Sequence, residues 1–254
     1  MRALVLGGGG IAGVAWEVGI LHGLGETVLD VDMIVGTSAG SIVAAALGHI
    51  SPAEAYRLQT TPAPPSANNA AGPVPDIDKL MELFGKAYSL PPDEAVRMVA
   101  DVSLAAETMP EEAFVNVIGR NLPSPEWPDS NISVVAYDTG SGERTVFTRD
   151  SGVALGLAVA ASCSVPGVFP PITIDGKRYM DGGIRMSNNA DLVADYDEIL
   201  IIAPIVELAP PPNAKVITPD EGAMKAMGAN VLDPASRIPS AEAGLRQGQS
   251  IKLH

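Results

Sequence analysis

The 254-residue chain has little cysteine and little positive charge. Its single cysteine, Cys163, excludes an internal disulfide and any metal site built from several thiolates. Its small neighbours predict that Cys163 is a core residue and not a catalytic thiol. The formal net charge of −14 argues against binding to nucleic acid and against electrostatic docking on anionic lipid.

Long apolar runs are also absent. No stretch approaches the ~20 uncharged apolar residues of a membrane-spanning helix. The glycines at 7–10 interrupt what would otherwise resemble a secretion signal, so we expect a cytoplasmic location. What is present is a hydrophobic fraction of 46%, which together with the length predicts one large domain over 1–254.

Apolar strand-like runs alternate with helical segments, beginning with "ALVLGG", Val14 to Leu24, "MIVG" and Ala39 to Leu47. This alternation predicts an α/β fold with a mainly parallel central sheet and helices on both faces. Antiparallel hairpins are expected around "DTGSGE" and at Asp175-Gly176. Proline-rich composition predicts a flexible surface loop over 60–75, and we expect a C-terminal extension with short helical stretches over 207–254.

A single serine, Ser38, stands between two glycines in "MIVGTSAGS", where an apolar strand turns into a small-residue helix. Gly-x-Ser-x-Gly in this setting is the nucleophile elbow pattern. Gly36 and Gly40 meet the requirement that the neighbours of a strained serine lack side chains that would collide with it. The helix start adds positive potential where an oxyanion would form. The alternative is an ordinary strand-to-helix turn that carries a serine.

The run "LVLGGGGIAG" has two interpretations. Gly8, Gly10 and Gly13 have the spacing of a dinucleotide-binding loop, and Asp30 follows about 20 residues later, where a ribose-binding acid belongs. That interpretation predicts an NAD- or FAD-dependent oxidoreductase, but the clear second strand, "MIVG", comes after the acid. Consecutive glycines can instead turn several amides towards one point, as an oxyanion hole requires. The spacing leaves both interpretations open, and the nearby serine elbow favours acyl transfer.

A serine nucleophile needs a proton acceptor, and histidine is a poor candidate here. His22 and His49 stand at the far ends of the helices that follow the glycine run and Ser38, and His254 is the last residue. A continuous helix from Ser38 would place His49 ~16 Å away along its axis. A Ser-His-Asp triad is therefore not expected.

An aspartate is the remaining candidate for the base. Asp181 in "YMDGG" ends the second strand of a predicted hairpin, and Gly182 and Gly183 leave room for the close approach of another backbone or a ligand. The alternative is that Asp181 is a turn residue. Another Asp-x-Gly triplet begins at Asp138, and it falls in a predicted hairpin turn.

Four blocks occur in the order "LVLGGGGIAG", "GTSAG", "ASCSVPGVFPPI" and "DGG", and together they resemble the patatin-like phospholipases. The resemblance extends from the first strand to about Asp181 and more loosely to "IIAP". It implies a three-layer α/β/α sandwich and a lipid acyl hydrolase with a Ser-Asp dyad, needing no metal or cofactor. The implied site consists of the nucleophile Ser38, the base Asp181, an oxyanion hole from the amides of Gly8, Gly9 and Gly10, and a pocket shaped by Pro166 and Gly167.

A single position departs from the family pattern. After the glycine run the family usually has Arg or Lys followed by glycine, whereas this chain has Ala12 and Gly13. The change removes a cation that can stabilise the oxyanion loop or a phosphate head group. Together with the acidic net charge it predicts uncharged acyl esters as substrates, met through transient apolar contact with a membrane. It also leaves open a non-catalytic descendant that binds lipid or a partner protein.

Overall fold

The computed structural model describes residues 1–62, 77–185, 188–205 and 210–252. Most of the loop predicted over 60–75 lies outside the described residues, as do 207–209 and 253–254 of the predicted extension. Within the described ranges, no helix is both long enough and apolar enough to cross a membrane.

Strands and helices alternate at the start of the chain, as predicted. The described strands are β1 (Arg2–Leu6), β2 (Met33–Thr37), β3 (Ile132–Asp138), β4 (Arg144–Phe147), β5 (Ile172–Ile174), β6 (Lys177–Asp181), β7 (Glu198–Ile202) and β8 (Ala214–Ile217). The described α-helices are α1 (Gly10–Leu24), α2 (Ala39–Leu47), α3 (Pro52–Thr60), α4 (Ile77–Tyr88), α5 (Pro92–Ala105), α6 (Glu111–Asn121), α7 (Leu155–Ser162), α8 (Glu221–Met227) and α9 (Arg237–Ser250).

The strands form one sheet in the order β5-β6-β3-β2-β1-β7-β8, and β4 also pairs with β3. The strands from β3 through β2, β1 and β7 to β8 run parallel. The remaining strands, β4, β5 and β6, join antiparallel. The mainly parallel sheet and both predicted hairpins are therefore confirmed. The second hairpin turns at Asp175 and Gly176, which both have positive φ.

Helices cover both faces of the sheet. Because successive side chains of a strand point to opposite faces, Leu4 and Leu6 of β1 pack into one core with α1, α2 and α7. Burial of each such leucine contributes roughly 1.5–3 kcal/mol. On the opposite face α5 packs through Val99 against Tyr137 of β3 and Met180 of β6. These contacts confirm the three-layer α/β/α sandwich.

The C-terminal segment is more regular than predicted. It adds the parallel strand β8 to the sheet, and its helix α9 packs directly on α1. A Cβ atom on Gly19 would lie only 2.2 Å from the carbonyl oxygen of Ala241, and one on Gly244 only 2.3 Å from that of Trp16. The two backbones therefore touch where glycine provides the space, and α9 supports the helix that begins at Gly10.

Candidate active site

Ser38 lies in the turn between β2 and α2, where it has φ 52° and ψ −119°. A positive φ at a residue other than glycine costs about 1–3 kcal/mol and persists only when the surrounding structure enforces it. The side chain is nearly buried, with 8% of the residue exposed. This strand-turn-helix geometry is that of a nucleophile elbow, which presents the serine hydroxyl away from the backbone.

The two flanking glycines are required by close packing. A Cβ atom on Gly40 would lie 2.1 Å from the carbonyl oxygen of Leu6, and one on Gly36 would lie 2.7 Å from the carbonyl oxygen of Gly40. The Gly40 amide donates to the Gly7 carbonyl over 2.9 Å. The elbow is therefore fixed against the end of β1, next to the glycine run.

Hydrogen bonds hold the backbone of Ser38 in its strained conformation. Its amide donates to Ser162 Oγ over 2.9 Å. Its carbonyl oxygen accepts from Ser41 Oγ over 2.6 Å and from the Cys163 thiol over 3.2 Å. Cys163 is buried, and burial, together with the negative charge of Asp181, raises the pKa of its thiol. Its place is structural, as the sequence predicts.

The register of β3 places Asp181 beside Ser38. β3 pairs with Thr37 of β2 through Val135 and with Asp181 of β6 through the next residue, Ala136. The antiparallel strand β6 therefore ends where the parallel strand β2 ends. A Cβ atom on Gly182 would lie 2.2 Å from the Val135 carbonyl oxygen, so this approach requires glycine after the aspartate.

The carboxyl group of Asp181 is enclosed, with 5% of the residue exposed. Its Oδ1 accepts from the Gly183 amide over 2.7 Å, whereas Oδ2 has no hydrogen-bond partner among the described residues. Burial raises the pKa of Asp181 to about 6, opposed by the Gly183 amide and by the nearby Ser38 hydroxyl. Ser38 therefore lies near the carboxyl group of Asp181, although no hydrogen bond between the two side chains meets standard geometry.

The glycine run supplies backbone donors next to Ser38. Within the described ranges, the amides of Gly8, Gly9 and Gly10 donate no hydrogen bond. A Cβ atom on Gly8 would lie 3.5 Å from Ser38 Cβ, which places this residue against the serine. Helix α1 begins at Gly10, so its dipole adds positive potential at the same point. The arrangement can stabilise an oxyanion formed at Ser38.

Ala12, where the family usually has a cation, is fully buried. Its amide donates to the Val231 carbonyl over 3.0 Å, and Gly13 donates to the Gly9 carbonyl over 2.8 Å. The segment around Val231 therefore covers position 12. The small side chain of alanine fits this enclosed position.

A cavity of about 540 Å³ opens beside Ser38. Its lining is mostly apolar and contains no Lys or Arg among the described residues: Gly10, Ile11, Val14, Ser38, Ala39, Ile42, Met109, Phe114, Val117, Ile118, Asn121, Cys163, Val165, Val168, Phe169, Asn230, Leu232, Asp233 and Pro234. Pro166 and Gly167 do not line it, but they turn the chain between Val165 and Val168, which do. The cavity has the size and polarity of a site for an acyl chain.

The described histidines lie elsewhere. The ring of His22 packs on Tyr56 with centroids 5.0 Å apart, and Nε2 of the exposed His49 lies 2.9 Å from the Glu126 carbonyl oxygen. No group of three or more His, Cys, Asp and Glu side chains in the described part of the chain is arranged to hold a metal ion.

Asp30 is not placed to bind a ribose beside the glycine run. It precedes β2, and Arg2, at the start of β1, pairs with it over 3.3 Å. The glycine run follows the opposite end of β1, ~17 Å away along a strand of five residues. The geometry therefore disfavours the dinucleotide-binding interpretation.

Two further polar residues hold the site together and were not identified from the sequence. Ser162 accepts the Ser38 amide, as described above, and Asn189 Nδ2 donates to Thr37 Oγ1 over 2.9 Å and to the Gly182 carbonyl over 3.1 Å. Asn189 therefore links the end of β2 to the turn after Asp181. The sequence does contain an indication for Ser162: it ends a very apolar helix, and a buried hydroxyl group needs a hydrogen-bond partner.

The family model described as patatin-like phospholipase matches residues 4–194, a segment that contains Ser38, Asp181 and the glycine run. An uncharacterised NTE family protein of Mycobacterium bovis is 28% identical over 185 residues, covering 72% of this chain and 42% of that protein. The lysophospholipase NTE1 of Kluyveromyces lactis is 30% identical over 182 residues, covering 71% of this chain and 11% of that protein. The chain therefore spans less than half the length of these relatives.

Among solved structures, VipD from Legionella pneumophila matches with a TM-score of 0.43 and 15% identity, over 80% of this chain and 49% of VipD. The type III effector ExoU matches with a TM-score of 0.37 and 16% identity, over 98% of this chain and 53% of ExoU.

Proposed function

Because this chain belongs to the patatin-like phospholipase family, we propose that it hydrolyses acyl esters of lipids with Ser38 as nucleophile and Asp181 as general base. The observation that carries the proposal is the strained Ser38 beside a buried carboxyl group, one oxygen of which has no hydrogen-bond partner among the described residues. The family match and the position of Asp30 favour this function over a dinucleotide-dependent oxidoreductase.

The proposed reaction has two halves. Asp181 takes the proton of the Ser38 hydroxyl while Oγ attacks the ester carbonyl carbon, and amides of the Gly8–Gly10 run stabilise the resulting oxyanion. The intermediate collapses, its alcohol leaves with the proton from Asp181, and an acyl-enzyme remains. Water then attacks the acyl group with Asp181 again as base, which releases the fatty acid and restores Ser38.

The environment of Asp181 suits this role. An ordinary aspartate, with a pKa of ~3.9, is a weak base at neutral pH. Burial raises the pKa of Asp181 to about 6, which brings it closer to the working pH while leaving the group ionised above that value. General bases are most effective when their pKa lies near the operating pH.

The lining of the cavity bears on the substrate. Its apolar walls suit an acyl chain, and each methylene buried there contributes about 0.8 kcal/mol. The acidic Asp233 is the only formally charged side chain among the described lining residues, and Ala12 supplies no cation near the oxyanion loop. We therefore expect acyl esters without an anionic head group to be preferred over lysophosphatidic acid.

The test is a panel of p-nitrophenyl esters of increasing acyl length, followed by monoacylglycerol and lysophosphatidic acid. Wild type should hydrolyse the panel, Ser38→Ala should be inactive, and a fluorophosphonate probe should label Ser38. Ser133→Ala is the matched control, because Ser133 is a buried serine on the adjacent strand β3. Hydrolysis that survives Ser38→Ala would exclude the mechanism, and an unlabelled Ser38 with no hydrolysis would favour a non-catalytic binding protein.

A further inference from the structure

A second buried carboxyl group, Glu17, lies on α1 and takes no part in the proposed reaction. The residue is fully buried. Its Oε1 accepts the Gly7 amide over 2.8 Å, and its Oε2 has no hydrogen-bond partner among the described residues. Glu17 lies one helical turn after Gly13, on the face of α1 that packs towards the elbow.

Gly7 connects the glycine run to the turn that carries Ser38. Its amide is shared between Glu17 Oε1 and the Ile202 carbonyl of β7, the latter over 3.0 Å. Its carbonyl oxygen accepts the amide of Gly40, the second residue of the elbow helix α2. The next residue, Gly8, begins the run of amides that donate no hydrogen bond to any described residue. A shift of Gly7 would therefore move the glycine run relative to Ser38.

We propose that Glu17 is a positioning residue that fixes Gly7 and so keeps the amides of the Gly8–Gly10 run aligned with Ser38. Glu17 touches neither the cavity nor Ser38, so it acts through the backbone alone. The proposal rests on the proposed function, in which those amides stabilise the oxyanion.

The surroundings explain why the acid is neutral. Burial raises the pKa of Glu17 well above its ordinary range, and the single amide of Gly7 opposes this only in part. No Lys or Arg pairs with Glu17 in the described part of the chain. An isolated buried carboxylate is costly, so the group keeps its proton. A neutral acid still accepts the Gly7 amide through its carbonyl oxygen.

The experiment compares Glu17→Gln with Glu17→Leu. Glutamine keeps an acceptor of the same shape, so its kcat on a p-nitrophenyl ester should stay within about threefold of wild type. Leucine removes the acceptor and should lower kcat about 10- to 100-fold with KM within about twofold, since small misplacements of catalytic groups cost up to about 10². A role in folding alone would not lower kcat selectively in the fraction that folds.

Trp16→Phe is the matched control. Trp16 is equally buried on α1, but its Nε1 donates to Gln247 Oε1 over 3.1 Å, away from Gly7. This variant loses a buried hydrogen bond of the same helix and should keep the kcat of wild type. A fall in kcat equal to that of Glu17→Leu would mean that general loosening of α1 is the cause, and would overturn the proposal.

Hydrogen exchange makes the test independent of hydrolysis. The amides of Gly7 and Gly40, whose hydrogen bonds meet at Gly7, should exchange about tenfold faster in Glu17→Leu than in wild type, and at the wild-type rate in Glu17→Gln. If wild type proves inactive, the proposed function fails while this comparison still decides the positioning role. Unchanged exchange and unchanged kcat in folded Glu17→Leu would overturn it. If Glu17→Leu does not fold, Glu17→Gln decides: near wild-type kcat supports the proposal, and a loss above tenfold overturns it.

Discussion

Asp138 and Asp181 occupy the same local structure with opposite consequences. Each is the last residue of a strand, β3 or β6, and each is 5% exposed. In each case the residue two places later is a glycine whose amide donates to Oδ1: Gly140 over 2.8 Å and Gly183 over 2.7 Å. The Asp-x-Gly turn therefore does not distinguish them.

The second oxygen of each carboxyl group distinguishes the two aspartates. Asp138 Oδ2 pairs with Lys177 over 3.2 Å. Burial raises the pKa of Asp138, but the donors Gly140, Lys177 and Ser141 outweigh it and hold the pKa below its ordinary value. Asp181 Oδ2 has no such partner among the described residues, and Ser38 lies near this carboxyl group. The two aspartates therefore differ in whether a neighbouring cation compensates the second oxygen, and this difference underlies the proposal of Asp181 as the base.

The largest effect should come from exchanging each aspartate for asparagine. Asp181→Asn keeps the shape and the Gly183 bond but cannot accept a proton, so kcat should fall about 10²–10⁴-fold, the usual contribution of a general base. Asp138→Asn should keep kcat within about threefold, because the carboxyl group of Asp138 pairs with Lys177 and not with Ser38. Steady-state kinetics on one p-nitrophenyl ester measure both. Equal losses in the two variants would show that the Asp181 effect is structural.

The pH dependence of kcat/KM should follow the titration of Asp181 and not that of Asp138. The base must be ionised, so kcat/KM should be constant above the pKa of about 6 and fall roughly tenfold for each pH unit below it. The fall between pH 8 and pH 4 is therefore about 100-fold. Asp138→Asn should leave the profile in place. A profile flat down to pH 4 would exclude Asp181 as the titrating base.

Much of this site could be predicted from the sequence because its signals are local. The elbow around Ser38 needs glycine at fixed positions, and a hairpin turn at Asp175-Gly176 ends its second strand at Asp181. Two local patterns therefore indicated the candidate residues Ser38 and Asp181. The glycine run was ambiguous because its spacing serves phosphates and oxyanions equally, and the position of Asp30 in the sheet, together with the family match, favours the second use.

The rest depends on contacts between distant segments. Ser162 bonds to Ser38, and Asn189 bonds to Thr37. In both pairs the two residues are more than 100 positions apart in the chain. Nothing near them in sequence indicates those partners. The packing of α9 on α1 likewise depends on glycines of the two helices, which come into contact only in the folded chain. The difference in partners between Asp138 and Asp181 also appears only in the structure, which pairs Asp138 with Lys177.

Stability should change in opposite directions in the two asparagine variants. The pKa of Asp181 is higher in the folded state, so its favourable contribution is full below pH ~4 and is lost as pH rises through about 6. Asp181→Asn should therefore raise the free energy of unfolding at pH 8 by up to about 3 kcal/mol and change it little at pH 4.

The pKa of Asp138 is lowered by folding, so its contribution is present above the unfolded pKa and is lost in acid. Asp138→Asn should therefore lower the free energy of unfolding at pH 8 by about 1–3 kcal/mol, with the gap closing towards acid. Urea titrations at the two pH values measure both variants. Changes of the same sign at pH 8 would contradict the contrast between the two carboxyl groups.

The smallest effect should come from Lys177→Met. Lys177 is the cation that distinguishes Asp138 from Asp181, but its side chain is 58% exposed, so the pair is screened by solvent and salt. Removal should raise the pKa of Asp138 towards its ordinary value, because burial then acts with fewer opposing donors. The pKa of Asp138 can be followed by NMR of its carboxyl carbon. In wild type, added salt should reduce the lowering of this pKa by Lys177.

The kcat of Lys177→Met on a p-nitrophenyl ester should stay within about twofold of wild type, since an exposed ion pair contributes little. If the pKa of Asp138 does not move, its Gly140 and Ser141 donors alone hold it low, and the difference between the two aspartates lies in those donors and not in Lys177.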